Sequence, residues 1–246
     1  DEQHPKSGRS QKYRLTLLNY QTGNVIADEL FEDKSDITIE LFLRNNLDTT
    51  RKLVVITDCD RRYPEIFKSI WGKNLIHQKC LLHLNKLVAN DFGKNISLQD
   101  TYNKYLLLNI FYNRERELKY LERVLARSKD NGFNWNSERK KFYKFVRKGE
   151  NRRRRKGKNL VQRKLWKAKE LFGLLLSEIN LFPKSTQKRI LMIKDNWKYF
   201  TAFYVVRGCP ATNNAVENFY STSLKTDRKK QFRSDRGILN QMKISA

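Results

Sequence analysis

Apolar residues recur along the chain with two different periods, which separate a strand-containing part from a helical part. Residues 13–19 and 24–31 alternate like strands, and Gly23 between them suits a hairpin turn. Residues 52–57 are continuously apolar, which predicts a strand buried on both faces, as in a parallel sheet. The order of strand pair, helix and buried strand predicts an α/β layer.

Helical spacing marks the connections between these strands. Ser35 can cap a helix. Residues 63–71 suggest a short helix, 74–77 a brief strand, and 81–88 a further helix. The apolar residues that recur at helical spacing after Ser35 are Ile37, Ile39, Leu41, Phe42, Leu43 and Leu47.

From about residue 98 the pattern becomes helical throughout. Helical periods cover residues 102–127, 137–147, 160–180 and 186–200, and we identify no convincing strand between them. The final segment, 213–227, predicts one more helix. We therefore expect three parts: the first part of an α/β core at 1–95, an all-helical insertion at 96–206, and a last helix with a basic tail at 207–246.

Composition adds a strong expectation about the partner. The chain has 51 Lys and Arg against 26 Asp and Glu, a formal charge of +25 at pH 7. A polyanion is the expected partner of such a surface. With 246 residues and 39% hydrophobic content, the chain can bury a core, which excludes a disordered basic tail.

The most basic stretch, residues 138–158, interleaves cations with aromatic side chains. Cations neutralise phosphates and aromatic rings stack on bases, although a charge run is often only a solvated face. We expect this stretch and the basic tail to contact DNA. The residues expected to make these contacts are Trp135, Arg152, Arg153, Arg154, Arg155, Arg228, Lys229 and Lys230.

Cysteine usage and hydropathy bear on the compartment. Cys59, Cys80 and Cys209 are an odd number, which favours a reducing environment over a disulfide framework. The sequence shows neither an 18-residue apolar run nor a signal-peptide pattern. We expect no membrane partner and an intracellular protein, cytoplasmic and nucleoid-associated in a prokaryote or nuclear in a eukaryote. Because the first residue is Asp1, we expect a piece of a longer protein.

Acidic residues occur at two positions that suit metal binding. Asp58 and Asp60 follow the buried strand, where side chains emerge at the carboxyl edge of a sheet. Glu217 lies on the last predicted helix, after Asn213 and Asn214. Carboxylate oxygens suit Mg²⁺, and a pair of such ions assists phosphodiester chemistry. In a basic protein this pattern indicates a metal-dependent enzyme that acts on nucleic-acid phosphates.

Four sequence blocks combine these features. They are Asp1-Glu-Gln before the strand pair, Ile56-Thr-Asp58-Cys-Asp60 with Tyr63-Pro after it, Cys80-x-x-His83, and Thr212-Asn-Asn-Ala-Val-Glu217-Asn-Phe. Together they resemble the catalytic region of DDE transposases, most closely the Mutator-like and related prokaryotic insertion-sequence families. The resemblance covers almost the whole chain and is loose in the helical middle.

The resemblance implies a ribonuclease H-like fold, a mixed sheet flanked by helices, with the helical insertion before the last catalytic helix. Asp1, Asp58 and Glu217 would be the catalytic acids and would hold two Mg²⁺ or Mn²⁺ ions. Asp60 competes with Asp58 because both follow the same strand, and Glu2 competes with Asp1. If Asp1 is the first acid, most of the first strand lies upstream of it.

Other polar residues receive supporting roles or remain open. Arg61 and Arg62 are expected near the DNA backbone. The residues expected near the acids or in structural roles are Asp60, Cys80, His83, Asn213 and Asn214. An alternative is open for four residues whose types suit a structural zinc site. These are Cys59, His77, Cys80 and His83.

Two functions follow from the sequence. The first is a transposase that cleaves and transfers DNA strands at transposon ends, with double-stranded DNA as its partner and a homodimer or larger assembly on it. The alternative is a non-catalytic nucleic-acid-binding module, which a zinc ion could stabilise, or a decayed transposase fragment. A ribonuclease or resolvase is a weaker third possibility because a fold alone does not fix the substrate.

Overall fold

A computed structural model describes residues 2–3, 13–93, 96–156, 162–224 and 234–245. Within these ranges the protein is a mostly helical, mixed α/β structure, which confirms the predicted class. The chain divides into two compact units. Unit 1 comprises residues 1–80 and 206–246, and unit 2 comprises residues 81–205.

The described strands all belong to unit 1 and form two sheets. Three antiparallel strands have the order β1-β2-β3: β1 Glu2–Gln3, β2 Tyr13–Leu18 and β3 Val25–Phe31. Two parallel strands form the second sheet: β4 Leu53–Thr57 and β5 Leu75–Lys79. The predicted hairpin is confirmed, and Gly23 has the positive φ of 76° that such a turn favours in glycine.

Helices account for most of the remaining described residues. Unit 1 contains α1 Asp36–Asn46 and α2 Tyr63–Trp71. Unit 2 contains α3 Leu81–Phe92, α4 Leu98–Leu108, α5 Glu115–Arg127, α6 Trp135–Arg155, α7 Leu165–Ser177, α8 Lys184–Asp195 and α9 Trp197–Val205. Unit 1 also contains α10 Asn214–Ser223 and α11 Asp235–Ser245.

Helix α1 begins as predicted and buries only part of its apolar residues. The Ser35 side chain accepts a hydrogen bond from the Thr38 N–H, which caps the helix. Ile39, Phe42 and Leu43 are buried against Leu15 of β2 and the residues of α2. Ile37 is 71% exposed and Leu41 is 55% exposed. These two residues are one turn apart on the outer face of the helix.

Unit 2 differs from the prediction where one long helical period becomes two helices. The pattern at 102–127 is broken between α4 and α5 because Asn109 and Arg163 build a polar connection there. The Arg163 guanidinium donates to the Asn109 carbonyl at 2.7 Å and to its side-chain oxygen at 2.5 Å. The same side-chain oxygen accepts the Arg114 N–H at 2.8 Å. Among the described residues of unit 2, the only extended pairing is the isolated bridge between Tyr112 and Gln162.

The carboxyl-terminal region contains a helix that the sequence analysis missed. Helix α10 ends at Ser223, short of the predicted residue 227, and residues 225–233 lie outside the described ranges. Helix α11 follows, and its Ile238 and Met242 pack against Leu30 and Leu224. The sequence analysis assigned this segment to a basic tail and overlooked its apolar residues at a spacing of four, which indicate a helix.

Candidate functional site

The carboxyl end of β4 positions two acidic side chains in successive turns. The Asp58 carboxylate accepts the Asp60 N–H at 2.8 Å, and the Asp60 carboxylate accepts the Arg62 N–H at 2.9 Å. Such Asp-backbone contacts are the usual way in which Asp residues stabilise tight turns. Both carboxylates are therefore held at fixed positions just beyond the strand.

Asp60 is also bound on its outer side by an arginine. The Arg62 guanidinium donates to both Asp60 carboxylate oxygens, with the shortest contact at 2.7 Å, and it also donates to the Lys34 carbonyl. Burial opposes the shift, but the Arg62 hydrogen bonds and charge hold the pKa of the Asp60 carboxyl below its ordinary value. Asp60 is thus engaged within the protein.

Cys80 joins the end of β4 to the start of α10. Its N–H donates to the Thr57 carbonyl at 2.8 Å, and its carbonyl accepts the Cys59 thiol at 3.6 Å. Its own sulfur accepts the Asn213 N–H at 3.5 Å. Because Thr57 precedes Asp58 and Asn213 precedes α10, this chain of hydrogen bonds brings the two elements together. Cys80 is fully buried, as expected for a small structural residue.

Helix α10 carries Glu217 in its first turn. The Glu217 N–H donates to the Asn213 carbonyl at 3.3 Å, so the residue is one turn from the contact with Cys80. Two residues further on, Phe219 and Tyr220 lie over the Arg14 guanidinium, at 5.1 and 5.2 Å from their ring centroids. The helix is therefore anchored at its start by Cys80 and along its length by β2.

Arg14 is itself held by an ion pair inside unit 1. Its guanidinium donates to both carboxylate oxygens of Asp28 on β3, at 2.8 and 2.6 Å, and it is fully buried. Thr16 donates to the same carboxylate at 2.7 Å. The two-point geometry fixes the plane of the guanidinium, which in turn provides a flat cationic surface for the two rings of α10.

Lys79 is a buried cation that the sequence analysis did not single out. It ends β5, pairs with Thr57 in the parallel ladder, and is only 3% exposed. Burial lowers the pKa of Lys79, while the charges of Cys59, Asp58 and Asp60 oppose that shift. The signal in the sequence was the polar His-Gln-Lys run that ends a short strand. A buried ammonium at this position partly balances the acidic charge.

His77 is a structural residue in the interior of unit 1. Its Nε2 lies 2.8 Å from the Thr57 hydroxyl, and its ring meets Phe67 edge to face at 4.8 Å between centroids. Burial, together with the charge of Lys79, lowers the pKa of His77 to about 3. Since the Thr57 hydroxyl donates to the Asp58 carbonyl, a neutral His77 with the proton on Nε2 completes this set of bonds.

Only some of the predicted metal ligands can be compared with the structure. Asp1 lies outside the described residues. Within the described ranges, no group of three or more His, Cys, Asp or Glu side chains is close enough to hold a metal ion. Of the residues in the zinc alternative, Cys59, His77 and Cys80 have the partners given above, and His83 lies on α3.

The arginines and asparagines that were expected near the acids differ in their exposure to solvent. Arg61 is exposed. Arg62 is half-buried. Its guanidinium contacts Asp60 and also lies 3.7 Å from Asp36, so it stabilises the loop after β4. Asn213 is buried at the start of α10, whereas Asn214 is exposed. Arg228, Lys229 and Lys230 lie outside the described residues.

Unit 2 displays the predicted basic stretch on α6. Phe142 and Val146 are buried on one side of this helix, where Phe142 meets Tyr105 at 5.0 Å between ring centroids. Arg152, Arg154 and Arg155 are exposed and Arg153 is half-buried. Five exposed cations of α6 follow the spacing of one helical face. They are Lys141, Lys144, Lys148, Arg152 and Arg155.

The aromatic residue expected to stack on a base is not on this exposed face. Trp135 is half-buried, and its indole N–H donates to the Ile96 carbonyl at 2.9 Å. Trp166 on α7 is instead 64% exposed, with the Lys167 ammonium 5.6 Å from its ring. Lys164 and Lys169 are exposed on the same segment. Trp166 therefore has the surroundings that were attributed to Trp135.

Two further observations concern the chain as a whole. Among the helices of the described residues, none is both long and apolar enough to cross a membrane. The chain matches no protein-family model, and comparison with curated proteins and with solved structures gives no significant match.

Proposed function

We propose that the protein is a metal-dependent DNA strand-cleaving and strand-transferring enzyme, the catalytic region of a DDE-type transposase. The observation that carries this proposal is the connection from Thr57 through Cys80 to Asn213. It supports convergence of Asp58 and Glu217, which are 159 residues apart in sequence, at the carboxyl end of β4. Distant acids that meet at a strand end are a common arrangement for phosphodiester chemistry.

The donor set fits a hard divalent cation. Asp58 and Glu217 offer carboxylate oxygens, which Mg²⁺ and Mn²⁺ prefer to sulfur or nitrogen. The Asp58 Oδ1 accepts a hydrogen bond from the Asp60 N–H. The second carboxylate oxygen of Asp58 would bind the metal ion. The ribonuclease H-like fold, two bound ions and Asp1 as a third ligand complete the proposed arrangement.

The residues of this chain would have distinct tasks in the reaction. Bound ions would supply activation of the attacking oxygen and stabilisation of the leaving oxygen. Asp58 and Glu217 would hold those ions, and the Asp60 turn would fix the orientation of Asp58. Lys79 would limit the repulsion between neighbouring carboxylates. The attacking groups would be water and then a DNA 3′-hydroxyl, each directed at a backbone phosphodiester.

The basic face of α6 supplies the proposed DNA-binding surface. Lys141 and Arg155 are 14 residues apart, which corresponds to about 21 Å of helix. Duplex DNA carries roughly 12 phosphates over that length. Contacts of this kind position the protein without reading base sequence. Binding by a homodimer or larger assembly, in the nucleoid or nucleus, belongs to the same proposal.

The test compares Asp58→Asn and Glu217→Gln with the unaltered chain. Both variants should lose Mg²⁺-dependent cleavage of DNA by at least about 100-fold while DNA affinity changes less than about twofold, because the overall charge hardly changes. Glu65→Gln, an exposed residue of α2, is the matched control and should cleave normally.

Calorimetry with Mn²⁺ provides a second measurement. Asp58→Asn should weaken Mn²⁺ binding, whereas Glu65→Gln should not. Retained cleavage in both active-site variants would contradict the proposal. If DNA binding falls together with cleavage, Asp58 has a structural role instead of a catalytic one.

A non-catalytic DNA-binding module is the second candidate, favoured by the concentration of cations on α6, which does not depend on the acids. It predicts salt-sensitive DNA binding with no cleavage under any divalent ion. Stoichiometric zinc in the purified protein would support the zinc-stabilised form of this candidate.

A further inference from the structure

Helix α6 attaches to unit 2 along one side. Phe142 and Val146 are its buried residues, and the Phe142 ring meets Tyr105 and Tyr120 at 5.0 and 5.5 Å between centroids. The helix has 21 residues, which corresponds to about 31 Å. The side opposite Phe142 is therefore a long surface that faces solvent.

Both acidic residues of α6 are turned toward unit 2 and paired there. Glu138 lies 3.5 Å from the Arg127 guanidinium, and Glu150 lies 3.5 Å from the Arg114 guanidinium. Each residue of a helix advances about 100° around the axis, which places both acids within about 80° of Phe142. The outer half of α6 therefore carries cations without any carboxylate.

Two rows of exposed cations border this outer half. Arg147 and Arg154 form one row, and Lys148 and Arg152 form the other. The two rows are separated by about 130° around the helix axis. A helix that is charged along both flanks can contact a phosphate strand on each side at the same time.

Lys144 and Asn151 lie midway between the two rows, and both are exposed. They are seven residues apart, so they point in nearly the same direction, about two turns and 10 Å from each other. Asn151 interrupts a run of arginines and cannot neutralise a phosphate. Its amide suits the N6 and N7 atoms of adenine, as a lysine suits the O6 and N7 atoms of guanine.

The dimensions of the helix select one kind of nucleic acid. With its side chains an α-helix is about 10–12 Å across, and the major groove of B-form DNA is about 12 Å wide. The minor groove is about half as wide. In A-form RNA the major groove is too deep and narrow to be read by side chains.

We propose that α6 enters the major groove of B-form DNA, with one row of cations on the phosphates of each strand and with Lys144 and Asn151 at the base edges. Lys144 binds guanine and Asn151 binds adenine about three base pairs away, because a base pair advances about 3.4 Å. This inference rests on the DNA-binding part of the proposed function and is independent of its catalytic part. A helix that crosses the backbone outside the groove is the competing arrangement.

The first test selects bound duplexes from a randomised pool, separately for the unaltered chain, Lys144→Ala and Asn151→Ala. The unaltered chain should enrich guanine at one position and adenine about three base pairs away. Lys144→Ala should reduce the guanine enrichment, and Asn151→Ala the adenine enrichment, each by roughly fivefold or more. Absence of enrichment, or enrichment that both variants retain, would overturn the proposal.

Two exposed residues provide matched controls. Lys148→Ala removes a lysine one turn from Lys144, on a flanking row. It should keep the base preference and lower the slope of log affinity against log salt by about 0.9. Asn131→Ala, in the loop before α6, should change neither property. Loss of the base preference in Lys148→Ala would contradict the assignment of the rows.

Duplexes that contain 7-deazapurines test the groove directly. In these bases a C–H group replaces the N7 acceptor in the major groove, while the phosphates and the minor groove are unchanged. The unaltered chain should bind such a duplex roughly fivefold or more weakly than the natural duplex of the selected sequence. The double variant of Lys144→Ala and Asn151→Ala should bind both duplexes equally. Equal binding of both by the unaltered chain would overturn the proposal.

Double-stranded RNA of the selected sequence separates groove binding from backbone binding. The double variant should bind this RNA no more weakly than Lys148→Ala does, because the A-form groove does not admit α6. A loss on RNA as large as that on DNA would overturn the proposal in favour of a helix outside the groove. A base preference that depends on Lys144 and Asn151 in a chain that does not cleave DNA would support this inference and contradict only the catalytic proposal.

Discussion

The two units of this protein use charged residues in opposite ways. Unit 1 buries Arg14, Asp28 and Lys79 on its strands, each beside a group of opposite charge. Unit 2 carries 30 of the 51 Lys and Arg residues but 11 of the 26 Asp and Glu, and α6 displays its cations on the surface. Unit 1 thus uses charged residues to hold side chains in fixed positions, whereas unit 2 uses them to create a positive electrostatic potential at its surface.

This difference predicts different responses to mutation. A buried ion pair loses much stability when one member is removed, because the other charge stays buried without compensation. Exposed cations contribute little to stability, and their effect on a polyanion is additive and screened by salt. Changes in unit 1 should therefore affect folding at any salt concentration, whereas changes on α6 should affect binding in a salt-dependent manner.

The largest effect should come from Arg14→Met. It leaves the Asp28 carboxylate buried without its cation and removes the positive charge under Phe219 and Tyr220, so we expect a loss of about 3–5 kcal/mol in the free energy of unfolding. Urea denaturation followed by circular dichroism measures it. The double variant Arg14→Met with Asp28→Leu should recover most of the loss.

A matched pair in unit 2 provides the control for this prediction. Arg189 also donates to both carboxylate oxygens of an aspartate, Asp91, at 2.6 and 2.7 Å, but the pair is partly exposed. Arg189→Met should therefore cost about 1 kcal/mol or less. Equal losses for the two variants would remove the distinction between the units.

Residues close in sequence were predicted well, and residues that meet through the fold were not. The hairpin at Gly23, the Ser35 cap and the parallel strand β4 each depend on a few consecutive residues, and each is confirmed. The prediction that β4 is buried on both faces is wrong, since Val54 is 44% exposed. Arg14 and Asp28 belong to neighbouring strands, and alternation alone does not say which polar residues of a strand are buried. Helical spacing likewise did not separate the exposed Ile37 and Leu41 from the buried residues of α1, since it does not reveal how wide a face the core covers.

The site shows the same division. Position after a strand was enough to make Asp58 and Asp60 candidates, because the end of a parallel strand is determined by the strand itself. Lys79 and the connection from Cys80 to Asn213 depend on contacts across up to 133 residues of sequence. Trp135 and Trp166 are both aromatic residues among cations in the sequence, and only tertiary packing distinguishes the half-buried ring from the exposed one.

The next effect should appear when Arg152, Arg154 and Arg155 are replaced by serine. If all three bind phosphates, the slope of log affinity against log salt on duplex DNA should fall by about 0.9 for each phosphate that is no longer neutralised. The decrease should be the same for unrelated DNA sequences because phosphate binding carries no base information. Fluorescence anisotropy at several salt concentrations measures the slope.

Three exposed cations of unit 1 form the control set for this charge change. Arg51, Lys68 and Lys73 replaced by serine remove the same charge from a different surface. These replacements should change the slope much less. Identical slopes for the two triple variants would show that overall charge, and not the position of these cations on α6, determines binding.

A smaller effect is expected for the exposed tryptophan of unit 2. Trp166→Ala should weaken binding to DNA with an unpaired end by about 1–3 kcal/mol and leave binding to blunt duplex nearly unchanged, because stacking requires an accessible base face. Trp135→Phe serves as the comparison and should affect stability instead, since it removes the hydrogen bond to Ile96. Titration with both DNA forms separates the two outcomes, and equal losses on both forms would contradict stacking.

The last effect is the pH dependence that His77 gives to the stability of unit 1. The pKa of His77 is about 3 in the folded protein because of burial and Lys79, against about 6.5 in an unfolded chain. Between these values the unfolded state binds a proton that the folded state does not, so stability is complete above about pH 6.5 and falls as the pH decreases toward 3.

The variant His77→Gln should remove this dependence, since glutamine does not titrate. Relative to the unaltered chain, its stability should change less steeply between pH 4 and 6, by up to about 1.4 kcal/mol per pH unit. Carboxylates titrate in the same range in both proteins, so the difference between the two denaturation series isolates His77. Parallel series would contradict this prediction. They would mean that His77 is protonated in the folded protein, so that its Nε2 bonds to Thr57 as a buried cation close to the buried Lys79.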